Sequence, residues 1–357
     1  MNRLLLMGAG AASLELIRYI NRNNPGDFSM TLVNPWRYQV NPGFVTSYLS
    51  DSVEFKDISL DLRGFTLENN TELIEDSVVK INSEPYSVSL SGGGVKRFDF
   101  AVINTGAVPP KIPGEGIIYV RPAMNLVDFK IDVTGSPSSS VTVIGSGAGA
   151  CETAMAVSSL SNKRNLGLKV KLIVPGEHAG EELLINGRRI MEKELNASEI
   201  EVVKNSKIRE IRDNIIYLTD GRCIYSDFVL GAENSLENGL ELEGFLKPGD
   251  KIMTDRFLRS SGMPGIYAAG DMISPEGFTG RRGVFHTFRE TEIIRENLLR
   301  EIKGKPLIEY NPSKSAFTMI SLPGDRAFIE TSGMDFTGKI PGYFKKYMDR
   351  KLFKGRG

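Results

Sequence analysis

Residues 1–15 read MNRLLLMGAGAASLE, and residues 141–152 return to the same pattern as VTVIGSGAGACE. In the first stretch Leu4–Met7 is an apolar run of strand length, and Gly8, Gly10 and Ser13 fill the three slots of GxGxxG. Leu14, Leu16, Ile17 and Ile20 then supply the apolar stripe of a helix. In the second stretch Val141–Ile144 is the strand, Gly145, Gly147 and Ala150 fill the slots, and Glu152 stands near the start of a small-residue helix. A strand, a glycine turn and a helix start together set backbone N–H groups against a pyrophosphate. Two such turns predict two dinucleotides.

The 357 residues are enough for two domains with their own cores. Forty-four basic residues balance 44 acidic ones, so there is no overall electrostatic footprint for nucleic acid. The balance hides a basic end, because residues 339–357 hold seven Lys or Arg against the acid Asp349. Two cysteines, Cys151 and Cys223, occur in no CxxC spacing, which points to a reducing compartment and away from a disulfide redox centre. Both read as small core residues. Two histidines, His178 and His286, are too few for a multi-histidine metal site. Leu4–Met7 is too short for a signal-peptide core, and no apolar stretch reaches the roughly 18–20 residues of a membrane span. A cytoplasmic protein is expected.

A second strand, Met30–Val33, ends at Asn34, where such folds carry an acid that accepts hydrogen bonds from a ribose; Asn34 can accept one. At the corresponding place after Val170–Val174 stands Glu177, with no Arg beside it, a mild preference for NAD over NADP. Residues 35–64 read either as a long loop over the ligand side of the sheet or as a surface excursion with some helix. Strands are expected at 77–82, which includes Val79, and at 87–90 and 99–103. The last of these runs into Asn104-Thr105-Gly106 and then a proline-rich hinge, Pro109, Pro110 and Pro113. Short strands follow at 201–204, 208–211, 215–218 and 228–230, then a strand leading into Gly270-Asp271, and a helix over 286–303. Residues 306–338 are β-like, and the final segment is basic and amphipathic.

Four stretches now stand in one order: GAGAAS at 8–13, INTGAVPPKIPG at 103–114, GSGAGACE at 145–152 and GIYAAGD at 265–271. That order resembles the two-dinucleotide-binding-domain flavoproteins of the pyridine nucleotide–disulfide oxidoreductase group. The resemblance implies an α/β fold with two Rossmann-like dinucleotide-binding domains and a small C-terminal region. The FAD domain would be discontinuous, 1–113 and 243–305, the NAD(P)H domain 114–242, and the C-terminal region 306–357. It implies FAD at Gly8, Gly10, Ser13, Asn34, Val79, Thr105, Gly106, Gly270 and Asp271, and NAD(P)H at Gly145, Gly147, Ala150, Glu152 and Glu177. Asp271 read on its own could equally be a helix N-cap.

Without a redox cysteine pair, the chain looks most like the type II NADH dehydrogenase branch, which passes electrons to a quinone. Tyr38–Gly43 resembles that branch's flavin-side loop, and Thr287-Phe288-Arg289-Glu290 stands where relatives carry a quinone-site sequence. The catalytic candidates are therefore Glu290, His286 and Thr287. Glu290 either passes protons to a quinone or favours the helix dipole in a first turn; His286 is a second proton carrier or a partly exposed helix-start residue. Glu152 either fixes the nicotinamide side or is an N-terminal helix acid. The tail, with Phe344, Tyr347, Met348, Leu352 and Phe353 among its lysines, is expected on an anionic membrane surface; docking on its own domain or a homodimer contact are the alternatives. Runner-up readings are a sulfide:quinone oxidoreductase-like enzyme and a flavin-binding sensor or interaction module with little turnover.

Overall fold

The computed structural model describes residues 1–24, 26–83, 85–107, 111–233, 241–242, 251–260, 263–278, 284–312, 317–331 and 333–354. Pro109 and Pro110 of the expected hinge, and residue 243 where the first domain is expected to resume, lie outside them.

The chain starts as β1 (Asn2–Met7), α1 (Ala11–Asn23) and β2 (Phe28–Val33), passes a short helix α2 (Val45–Leu49), and adds β3 (Thr71–Ile74) and β4 (Phe100–Ile103). Next come β5 (Ile117–Tyr119), α3 (Met124–Thr134), β6 (Ser140–Ile144), α4 (Ala148–Arg164), β7 (Lys169–Ile173), β8 (Glu201–Val203) and β9 (Phe228–Gly231). The last part holds β10 (Ile266–Ala268), α5 (Val284–Glu301), β11 (Thr318–Leu322), β12 (Arg326–Glu330), β13 (Asp335–Gly338) and α6 (Lys339–Lys354).

Two five-stranded sheets, every pairing parallel, organise these elements. The first runs β10-β4-β1-β2-β3 and the second β5-β9-β6-β7-β8. Parallel sheets are covered on both faces, which is why their strands are continuous apolar runs. Leu4–Met7 and Val141–Ile144 are accordingly buried at every position. α1 buries Leu16, Ile17 and Ile20 against the first sheet, each such side chain stabilising by about 1.5–3 kcal/mol. In both sheets the glycine turn leaves the central strand at its C-terminal end, the edge where open α/β sheets bind ligands.

Two regions depart from expectation. Residues 35–64 are not a surface excursion: Val40, Phe44, Val45, Leu49 and Ile58 are buried in the same cluster as Leu126 and Phe129 of α3. α2 packs between α3 and α4. The tail does dock on its own chain: α6 lies on the antiparallel sheet β11-β12-β13. Its Lys345, Asp349 and Phe353 are buried, so Phe353 leaves the expected membrane face. Among the described residues no helix is long and apolar enough to cross a membrane, and no metal-binding cluster of His, Cys, Asp and Glu occurs.

Candidate functional site

The first glycine turn is closed from behind by Asn104. Gly8 has φ +86°, and a Cβ there would stand 2.4 Å from Thr105 Cα; one on Gly10 would stand 2.0 Å from Asn104 Oδ1. Glycine is required because β4's exit passes directly beneath the turn. Asn104, 5% exposed, accepts from the Ala12 N–H at 3.1 Å and the Ser13 N–H at 3.4 Å through Oδ1. Its Nδ2 donates to Ala269 O at 3.0 Å. One amide thus caps α1 from a distance and ties three of the four motifs together. Ser13 Oγ is buried and has no hydrogen-bond partner among the described residues. Asn34 is also committed internally, accepting from Ala9 N–H at 3.1 Å and donating to Trp36 O at 2.9 Å.

The Gly270-Asp271 turn is held from the other side. Glu290, fully buried, accepts the Gly270 N–H at 2.9 Å, and the Tyr310 hydroxyl lies 3.3 Å from its second oxygen. Asn104 and Glu290 therefore grip the carbonyl and the N–H of one peptide unit, Ala269–Gly270. Asp271 starts no helix, which removes the N-cap alternative; α5 begins only at Val284, and Asp271 pairs with Arg121 at 2.9 Å. The same boundary puts Glu290 beyond the first turn, so the helix-dipole reading falls too. His286 is 6% exposed with Phe278 against its ring, correcting the expectation of a partly exposed residue. Thr287 O accepts the Thr291 hydroxyl at 2.7 Å. Thr105 and Gly106 follow β4 toward solvent, whereas Val79 is 45% exposed in a separate, mixed sheet.

At the second turn, Gly147 is the N-cap of α4, and the Ala148 N–H donates to Glu182 Oε1 at 2.8 Å. Gly145 N–H closes onto Ile173 O at 3.0 Å, and Ala150 is buried against the sheet. Glu177 projects into solvent, 3.9 Å from His178. Glu152 is not an isolated helix acid. Its Oε1 accepts from Thr46 Oγ1 and from Ser321 N–H, both at 2.9 Å, so α2, α4 and β11 meet on it.

That node extends into the tail. Lys345 Nζ lies 3.8 Å from Glu152, donates to Asp349 at 2.9 Å and to Gly43 O at 2.7 Å. Asn41 Nδ2 donates to Asp349 O at 2.9 Å, so α6 clamps the turn at 41–43. Burial pulls the Lys345 ammonium down, but the Glu152 and Asp349 carboxylates outweigh it and hold the group above its ordinary value. Two small adjoining clefts open beside this node and share Ser50, Ser52, Ser321 and Leu322.

The cysteines differ from each other. Cys151 is fully buried in α4, and burial pushes its thiol up to about 12. Cys223 is exposed, not a core residue. Sequence reasoning missed Asn104, Arg121, Glu182 and Lys345. Asn104 alone carried a signal, a polar residue inside a buried strand exit.

The family model described as pyridine nucleotide-disulphide oxidoreductase matches residues 2–290. The NAD(P)H nitrite reductase of Bacillus subtilis is 24% identical over 286 residues, which are 77% of this chain and 35% of that protein. The chain thus spans about a third of that relative's length. The rubredoxin-NAD(+) reductase of Acinetobacter baylyi is 23% identical over 295 residues, 78% of this chain and 73% of that protein. Among solved structures, the sulfide:quinone oxidoreductase of Aquifex aeolicus aligns over 100% of this chain and 92% of its own, with TM-score 0.76 and 17% identity, a likeness of fold.

Proposed function

The chain belongs to the pyridine nucleotide-disulphide oxidoreductase family, and on that premise we propose that it oxidises NADH, or NADPH, and delivers the electrons to a quinone. Its cofactors are those of the family, FAD and NAD(P)H. The observation that carries the flavin reading is the convergence of Gly8–Ser13, Asn104–Gly106 and Gly270–Asp271 on one sheet edge, joined through Asn104. The donor set fits a pyrophosphate: the N–H groups of Gly10 and Ala11, at the open end of α1, have no partner among the described residues.

Bound FAD supplies the hydride-accepting and electron-passing chemistry. The residues of the chain supply placement. The N-terminus of α1 holds the negative charge of the pyrophosphate, and Asp271, partly exposed and steadied by Arg121, accepts from a sugar hydroxyl. Glu290 acts as a positioning residue for Gly270 and not as a proton carrier, since it is buried and committed to that N–H. Gly145, Gly147, Ala150 and Glu152 form the NAD(P)H side, with Glu177 exposed in the turn after the neighbouring strand β7.

A quinone is favoured over sulfide because neither cysteine suits a persulfide carrier: one thiol is buried and held protonated, the other is on an exposed strand. The outer face of α6 supports a membrane-bound acceptor. Ile340, Tyr343, Phe344 and Tyr347 are exposed on it at helical spacing, flanked by Lys339, Arg350 and Lys351, each basic residue adding about 1 kcal/mol at an anionic surface. Replacing Tyr343, Phe344 and Tyr347 with Ser should abolish sedimentation with phosphatidylserine vesicles; undiminished sedimentation would remove the membrane from the account. Anaerobic titration with NADH, NADPH and sulfide tests the donor. Bleaching of the flavin by sulfide alone would replace this reading with the sulfide one.

A further inference from the structure

The second glycine turn already has an anion seated in it. Ala148 follows the second glycine of the motif as the first residue of α4, and its N–H points to the place where a pyrophosphate oxygen is received. Glu182 Oε1 occupies that place, 2.8 Å from the nitrogen. The carboxylate is delivered there by a fastened loop. Gly180 N–H and Glu181 N–H both donate to Ser146 O, at 2.7 and 3.0 Å, and Ala179 and Leu183 on either side are buried. Glu182 itself keeps partial access to solvent.

We propose that Glu182 is an internal occupant of the NAD(P)H pyrophosphate subsite, which the dinucleotide must displace, so that this residue sets the affinity for the reductant. The inference rests on the reading of the second turn as the NAD(P)H site. A phosphate and the carboxylate cannot share the Ala148 N–H, and their like charges repel at that distance. The fastening bonds of the loop are made by backbone N–H groups, so exchanging the carboxylate for a phosphate leaves the loop in place. An internal competitor lowers apparent affinity by the fraction of time the subsite is closed. The effect follows the phosphate. NADH, NADPH and ADP-ribose all meet the barrier; adenosine does not.

The test is binding of NADH, ADP-ribose and adenosine to the full FAD-loaded chain and to its Glu182→Ala and Glu182→Gln variants. Removing the carboxylate should tighten NADH and ADP-ribose by about fivefold and leave adenosine unchanged. Glu182→Gln, which keeps an acceptor but loses the charge, should fall between. A gain in affinity cannot come from a damaged fold. Wild-type binding of ADP-ribose with no gain in Glu182→Ala overturns the role of Glu182 alone. Failure of both proteins to bind ADP-ribose while FAD is retained overturns the NAD(P)H reading and the proposal together.

Discussion

Replacing Asn104 with Ala removes a side chain that joins three of the motifs. The amide is 5% exposed and makes bonds of 3.1 Å to Ala12 N–H and 3.0 Å to Ala269 O, with a longer one to Ser13 N–H. The truncation leaves a buried N–H and a buried carbonyl without partners, each costing about 1–3 kcal/mol. Allowing for water entry, about 2–4 kcal/mol is expected, a fall in melting temperature of about 5–10 °C for a unit of this size. The Ala269–Gly270 peptide keeps its grip from Glu290 but loses the one from Asn104, so FAD should also bind about tenfold more weakly. Calorimetry on the FAD-free and FAD-loaded protein measures the first, and flavin fluorescence titration the second. Asn104→Asp keeps the shape but sets a negative charge by the turn, and should lose more FAD than Ala does. A melting temperature within about a degree of wild type, or equal FAD affinity in all three proteins, would refute the reasoning.

Three further outcomes are expected. Lys345→Met leaves Asp349 and Glu152 facing each other without the ammonium, and should destabilise by about 3–5 kcal/mol in denaturant unfolding; a loss within error of zero would show that the cluster is not closed in solution. For the same reason a truncation at residue 341 should harm the turn at 41–43, and is a poor test of membrane binding. Thiol titration of the native protein should find Cys223 alone reactive, with Cys151 appearing only after unfolding. Asp227 is held below the usual carboxylate range by the Ser140 N–H, then by the Ser140 and Tyr225 hydroxyls. Its contribution is therefore complete above that range and lost as pH falls through the lowered folded value. The stability gap between wild type and Asp227→Asn should shrink between about pH 5 and pH 3, and a gap that widens there would reverse the sign.

The strands and glycine turns were readable because each answers to a local requirement. A strand buried on both faces must be apolar throughout, as Leu4–Met7 is, and a turn crossed by another backbone must be glycine, as Gly8 and Gly10 are. Residues 35–64 were not readable, because Val40, Phe44 and Leu49 take their burial from α3 and α4, far along the chain. Nor could periodicity say which side of the tail is covered; Phe344 and Phe353 look alike in sequence, yet only Phe353 is buried. The polar residues that shape the site depend on distant partners. Glu182 reaches Ala148 across 34 positions and Lys345 reaches Gly43 across 302. Glu290 was found by its place after the Gly-Asp motif, but its bond to Gly270 is one that spacing does not reveal.

Sequential anaerobic mixing tests the central claim most directly. The FAD-loaded protein is mixed first with NADH and then, once bleached, with a short-chain quinone, while the visible flavin band is followed. The account predicts fast bleaching by NADH and fast return of the band with quinone, each at stoichiometric reagent. A flavin that NADH does not bleach, or one that stays bleached in the presence of quinone, would contradict it.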